Sequence, residues 1–152
     1  MTVKHLMTAP VKTCRASALV SEAARTMLED NCGCLPVTDG KGRLAGIITD
    51  RDVCLAVAQH RDPSKTLVRD VMTPRVVSCG IEDYVDRALV EMKENRVRRI
   101  PVIDKRGVVK GLISIDDVIR NSGIAEGRVP AEAVVDVLRH ICTAEPDLAV
   151  AR

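Results

Sequence analysis

The sequence predicts a mixed α+β protein, close to α/β in its local alternation. Two β-α-β-β-α units pack sheet to sheet about a pseudo-twofold axis, and a helix follows at the C-terminus. Three observations predict this. The chain repeats itself at a constant offset of about 65 residues, so that Met7-Thr8 returns as Met72-Thr73, Pro36-Val37 as Pro101-Val102 and Gly46 as Gly111. Within each copy the apolar pattern switches between strand-like and helix-like periods. Finally, Gly46-Ile47-Ile48-Thr49-Asp50-Arg51-Asp52 and Gly111-Leu112-Ile113-Ser114-Ile115-Asp116-Asp117 each read as an apolar strand that ends in a hydroxyl and runs at once into a helix. The division that follows is 1–61 for the first unit, 62–123 for the second and 124–152 for the extension.

Val11-Lys12-Thr13-Cys14 and Val76-Val77-Ser78-Cys79 open the two units as short strands, on β-branched content. A helix follows each, with apolar residues at Val20, Ala23, Ala24 and Met27, matched by Val85, Ala88, Leu89 and Met92; this i, i+3, i+4, i+7 stripe marks one buried face. Ser17 and Asp83 are the expected N-caps. Leu35-Pro36-Val37 and Ile100-Pro101-Val102-Ile103 begin the next strands, with proline placed at a first turn or edge. Asp39-Gly40-Lys41-Gly42 and Asp104-Lys105-Arg106-Gly107 read as hairpin turns, closed by strands over Leu44 to Thr49 and Val108 to Ser114. The last helix of the first unit has Val53, Ala56 and Val57 on its apolar face and ends at Asp62-Pro63-Ser64. In the second unit Gly123 fits the C′ position. Beyond the repeat, Pro130 suits a first helical turn, and Val134, Val137, Leu138 and Ile141 form a stripe that must cover either its own unit or a partner subunit.

Composition narrows the function. The chain has 152 residues, a formal charge of +2 and one aromatic residue, Tyr84. Single-stranded nucleic-acid modules stack bases on aromatic platforms, and a balanced charge offers no general attraction to nucleic acid or anionic membrane, so neither partner is expected. No apolar run reaches the length of a membrane span and the start lacks a signal-peptide core; a cytoplasmic location is expected. There the six cysteines read as small buried hydrophobes rather than disulfides. Cys32 and Cys34 are the one pair to weigh as a thiol or metal site, against a plain helix-to-strand loop; no metal is expected.

The two heptapeptides carry the chemistry. A helix start presents unpaired N–H groups and the positive end of a dipole, which suits phosphate. The hydroxyl can add a bond to that anion, and a carboxylate three residues on can accept from ribose hydroxyls, a division of labour also used in dinucleotide sites. Thr49 and Ser114 are also good N-caps without any ligand, and Asp52 and Asp117 suit a helix start for the same reason. Duplication of both the hydroxyl and the acid favours the ligand reading. Arg96, Arg98 and Arg99 fit a solvated basic edge as well as a phosphate contact. His5, His60 and His140 accompany no acid or nucleophile in these motifs, so an enzyme is not expected.

Taken together, the Met-Thr entries, the Leu-Pro-Val and Ile-Pro-Val strands and the two Gly-x-x-Ser/Thr-x-x-Asp motifs resemble the cystathionine-β-synthase (CBS) domain, present twice as a CBS pair or Bateman module. The likeness runs from Val3 to about Ser122 and is similar to small stand-alone bacterial CBS-pair proteins. It implies a regulatory module that binds an adenine nucleotide (AMP, ADP or ATP, with NAD or S-adenosylmethionine as other candidates), works as a homodimer and signals to a separate effector protein. It further implies that Asp52 and Asp117 hold ribose, and that Thr49 and Ser114 hold ribose or phosphate oxygens. Backbone near Thr13, Ser78, Cys34-Leu35-Pro36 and Arg99-Ile100-Pro101 would edge the adenine, and Arg51, Arg98 and Arg99 would meet phosphate. The Cys32-Gly33-Cys34 loop aligns with Val97-Arg98-Arg99, which leaves the phosphate-facing wall of one site neutral and that of the other basic. Ser114 stands where threonine is commoner, and Asp116 where the first copy has Arg51, so the two sites are expected to differ in affinity or preferred charge. The alternatives are a ligand-independent interaction scaffold docking through its C-terminal helix, and a cysteine-based metal or redox switch.

Overall fold

A computed structural model describes residues 1–123 and 129–143. Each hairpin forms where the sequence places it. In the first unit, β1 (Cys14–Arg15) and α1 (Val20–Glu29) precede the hairpin β2 (Cys34–Thr38) and β3 (Leu44–Thr49), and α2 (Asp50–Ala58) follows. In the second, β4 (Thr73–Pro74), β5 (Cys79–Gly80) and α3 (Val85–Glu94) precede β6 (Arg99–Ile103) and β7 (Val109–Ser114), with α4 (Ile115–Arg120) next and α5 (Ala131–Cys142) last. The hairpin turns are built alike. Asp39 accepts from the Lys41 and Arg43 N–H groups at 2.8 and 2.9 Å, and Asp104 from those of Arg106 and Val108 at 2.8 and 3.0 Å. Gly42 and Gly107 take φ of +76° and +78°, a conformation that glycine adopts without penalty.

The sheets run β1-β2-β3-β4 and β5-β6-β7. They meet across the pseudo-axis through their hairpins, where Leu44 donates to the Gly107 carbonyl at 3.0 Å and Val109 to that of Gly42 at 3.1 Å. Each sheet has its own core. Ala23, Met27, Leu35, Val37 and Ile48 fill the first; Ala88, Met92, Ile100, Val102 and Ile113 fill the second.

The leading segments cross over. Val3 and Leu6 are buried in the second unit's core, where the Val3 N–H bonds the Asp83 carbonyl at 2.8 Å and Val85 donates to that of Met1 at 3.2 Å. In the same way Val68 is buried in the first unit's core, and its N–H bonds the Ala18 carbonyl at 2.8 Å. Thr8 then pairs with Leu112 on the edge of β7 as Thr73 pairs with Ile47 on β3. The sequence division at 61/62 follows the repeat, whereas the cores exchange their first segments.

Several local expectations change. The entry strands shrink to two residues each, and Val11 and Val76 precede them; two residues of parallel pairing depend on the neighbouring strand, not on propensity. Leu19 and Tyr84, not Ser17 and Asp83, are the N-caps. Glu22 accepts the Leu19 N–H at 2.9 Å, so α1 is capped from inside, and Asp83 is turned back to the Gly80 N–H at 2.8 Å. Pro36 lies in mid-strand; β1 pairs only with Val37 and Thr38, so the strand tolerates a missing donor beside it. Helix α2 ends at Ala58, before Asp62-Pro63-Ser64, and its Val57 is 53% exposed. Asn121 caps α4, two residues before Gly123, and Pro130 is the N-cap of α5 rather than its first turn.

The C-terminal stripe packs in cis. Val134 and Val137 are buried with Leu138 and Ile141 beside them, against α3 and α4, and Lys93 pairs with Asp136 at 2.7 Å. Residues 124–128 and 144–152 of the expected extension lie outside the described residues. Among the described residues no helix is long and apolar enough to cross a membrane.

Candidate functional site

Two clefts of about 410 Å³ each lie between the units. The first, cleft A, is bounded by Thr49 and Ile47 from the end of β3, by the second leading segment (Thr73, Arg75, Val76, Val77), and by Asn95, Val97, Arg98 and Arg99 with Pro101 and Cys34. The second, cleft B, takes Ser114 and Leu112 from β7, the first leading segment (Thr8, Pro10, Val11, Lys12), the loop Asp30 to Cys34, and Asp116, Asp117, Arg120 and Arg99. The offset of about 65 residues carries nearly every wall of one cleft onto the other. Duplication has therefore produced two related clefts.

Both heptapeptides close as capping boxes. Thr49 donates its N–H and its hydroxyl to Asp52 Oδ2, each at 2.8 Å, and its Oγ1 accepts the Asp52 N–H at 3.2 Å. Ser114 and Asp117 repeat this at 2.8, 2.6 and 3.2 Å. The reciprocal bonds satisfy two donors at the helix start. The expectation that helix-start amides of α2 await phosphate is corrected here: Asp50 donates to the Gly33 carbonyl at 3.1 Å, Arg51 to Asp50 Oδ1 at 2.8 Å, and Asp52 to Thr49. These amides are already occupied, so they offer no free donor to an anion. Asp52 Oδ1 has no partner among the described residues, whereas Asp117 Oδ1 accepts from Arg120.

The structure brings Thr49, Arg99 and Pro101 together in cleft A, and Ser114 and Asp117 in cleft B. Asp52 is half-buried beside cleft A but is not part of its lining. Leu35 and Ile100 are wholly buried in the cores, and Pro36 is buried within β2. Thr13 and Arg51 are exposed, outside either lining. Ser78 borders a separate groove of about 350 Å³ with Asp83 and Asp104. As site residues, sequence reasoning passed over Arg75, Asn95 and Val76, and in cleft B over Lys12, Asp30 and Arg120. They lie outside any motif, and only the repeat offset, applied across the interface rather than within one unit, relates them.

Cys32 and Cys34 line cleft B. Among the described residues no three His, Cys, Asp or Glu side chains are grouped to hold a metal ion. Burial pushes the Cys34 thiol up, with Arg99 beside it acting in the opposite sense. Burial also raises Cys14 to about 11 and, reinforced by Asp83, Cys79 to about 12. The thiolate is the reactive form. At pH 8 iodoacetamide should therefore modify the exposed Cys54 and Cys142 well before these three, as peptide mapping would read; early labelling of Cys14 or Cys79 would contradict the burial. The sign for stability follows from the same shifts. Both thiols hold their protons more tightly when folded, so their contribution is complete below pH 9.0 and is lost as pH rises through 11 and 12.

Comparison with known proteins supplies the family. The CBS domain model matches twice, at residues 3–59 and 68–123. The chain belongs to the CBS domain family. As a CBS pair it is 35% identical over 120 residues to the CBS domain-containing protein YhcV of Bacillus subtilis, covering 78% of this chain and 84% of that one. It is 30% identical over 121 residues to the L-aspartate semialdehyde sulfurtransferase of Methanocaldococcus jannaschii, covering 80% of this chain but only 23% of the relative, so it spans about a quarter of that protein's length. Among solved structures it is similar to the CBS domain pair of protein MJ0100 in complex with 5′-methylthioadenosine and S-adenosyl-L-methionine (29% identity, TM-score 0.72, covering 79% of this chain and 94% of that one). It is similar also to CBSX2 in complex with AMP (25% identity, TM-score 0.68, 78% and 93%). A third is Hypoxic Response Protein I with two coordinated zinc ions (27% identity, TM-score 0.73, 79% and 98%).

Proposed function

We propose that this CBS pair is a regulatory sensor that binds adenosine nucleotides in the clefts between its units, and that it works as a cytoplasmic homodimer reporting to a separate effector rather than as an enzyme. The observation that carries this reading is the pair of related clefts, each joining the hydroxyl-capped helix start of one unit to the leading segment of the other. A ligand held that way touches both units, so it interacts differently with their alternative orientations and shifts the balance between them. Asp52, half-buried beside cleft A, leaves its Oδ1 without a partner among the described residues, and a ribose hydroxyl would approach it there. With no aromatic at hand, the base would lie between aliphatic walls such as Val76, Val77 and Ile47. AMP and S-adenosylmethionine in relatives' structures support the ligand class.

Calorimetric titration with AMP, ADP, ATP, NAD and S-adenosylmethionine tests it; a folded sample with no response to any of them would end the proposal. Asp52→Asn separates ligand from cap, because asparagine keeps an oxygen for the Thr49 N–H but loses the charge that strengthens a ribose bond. A roughly tenfold weaker nucleotide with nearly unchanged melting is expected. Equal losses of affinity and stability would mean that Asp52 is only a cap.

The runner-up is the cysteine-based metal reading: a relative, Hypoxic Response Protein I, holds two coordinated zinc ions, and here Cys32 and Cys34 line cleft B. Metal analysis of protein purified without chelator decides it. The scaffold reading is weakened because the apolar stripe of α5 is already packed on α3 and α4.

A further inference from the structure

Resting on the nucleotide reading above, we infer that the two clefts select adenosine ligands of different charge. Cleft A takes a nucleotide with two or more phosphates, and cleft B an adenosyl ligand without phosphate, neutral or cationic at that end. The inference comes from what duplication changed at matched positions of the walls. Pro10 of cleft B is replaced in cleft A by Arg75, Gly33 by Arg98, and Asp30 by Asn95. Each of these changes makes cleft A more positive. Two changes run the other way, Lys12 replaced by Val77 and Arg120 by Leu55, but Lys12 pairs with Asp30 at 3.7 Å and Arg120 with Asp117, so each of these cations is already neutralised.

Partnering sharpens the contrast. Arg75, Arg98 and Arg99 are exposed, and among the described residues none of them has a carboxylate within ion-pair distance. Three guanidiniums free of counter-charge on one wall suit a chain of phosphates, since the guanidinium fork matches phosphate oxygens and keeps its charge at any physiological pH. Arg75 holds a φ of +54°, a left-handed conformation that a non-glycine residue adopts only at a cost, and it is held on the cleft wall in that state. In cleft B the cations not shared with cleft A are committed, Lys12 to Asp30 and Arg120 to Asp117. Asp116 is exposed on the lining with no ion pair among the described residues. An incoming phosphate would meet that carboxylate; a sulfonium or an uncharged substituent would not. Arg99 borders both clefts, so it does not discriminate between them and is left intact in the test.

The full chain is titrated calorimetrically with adenosine, AMP, ADP, ATP, 5′-methylthioadenosine and S-adenosylmethionine at two salt concentrations. Two classes of site are expected. One gains about tenfold in affinity with each added phosphate and weakens with salt; the other accepts the phosphate-free ligands and is indifferent to salt or repelled by phosphate. Arg75→Gly with Arg98→Ala should cost the first class about 100-fold for ATP, one factor of ten for each guanidinium removed, and leave S-adenosylmethionine binding unchanged. Glycine adopts the Arg75 backbone freely, which keeps the fold. Asp116→Arg should raise AMP affinity in the second class about tenfold. If both classes respond alike to phosphate number, or the double variant loses ATP and S-adenosylmethionine equally, the charge division is wrong and the nucleotide reading stands. Absence of binding by every ligand to folded protein overturns both.

Discussion

Gly46→Ala should cost about 3 kcal/mol and spoil cleft A at the same time. A Cβ built on Gly46 would lie 2.6 Å from the Thr73 carbonyl oxygen and 3.0 Å from Met72 Sδ. The first contact is with backbone, so it can be relieved only by lifting β4 off β3, and that strand leads directly into Arg75 and Val76. Gly111→Ala should be milder, about 2 kcal/mol; there the Cβ would meet Met7 Sδ at 2.7 Å, which a flexible side chain can yield, and the Thr8 carbonyl at 2.8 Å. Urea unfolding reads the stabilities, and nucleotide titration reads the cleft. If both alanine variants unfold at the wild-type midpoint, the leading segments do not cross the sheets as described. Glycine in the repeated motif thus serves close passage of another strand, not conformational freedom.

Deleting residues 129–152 should remove on the order of 5 kcal/mol, a large share of the stability of a domain this size. The deletion strips Val129, Val134 and Val137, all buried, from the second core, removes Leu138 and Ile141 beside them, and bares the faces of α3 and α4 that α5 covers. The Lys93–Asp136 pair adds little, because both groups are partly exposed. A lowered urea midpoint with increased binding of an apolar dye is the expected result. A truncated protein of wild-type midpoint would mean that α5 packs elsewhere. Such a truncation is therefore a poor way to separate a sensor from a scaffold, since it damages the fold before it reaches any docking surface.

The hairpins and the helices that follow them are legible in the sequence because each is specified locally and then repeated. Asp39 and Asp104 carry their turns, and Thr49 and Ser114 cap their helices through side chains only three residues away. What depends on distant partners was not legible. The two-residue strands at Cys14 and Cys79 exist because β2 and β6 lie beside them. Nothing near Val3 or Val68 in sequence announces that each enters the opposite core. The site was legible at its duplicated centre and obscure at its rim. Thr49 and Asp52 form a motif, and the capping and ribose roles ask for the same residue types at the same spacing, so the pattern could not separate them. Arg75 and Asn95 belong to no motif, and their place in cleft A follows only once the second unit is laid against the first.

The crossing of Val3 and Leu6 one way and of Val68 the other has a consequence for ancestry and for engineering. A half-length chain, holding a single copy, would be whole only by trading its opening residues with a twin. Splitting the gene in the middle should thus yield two fragments that are each incomplete alone and restored by mixing.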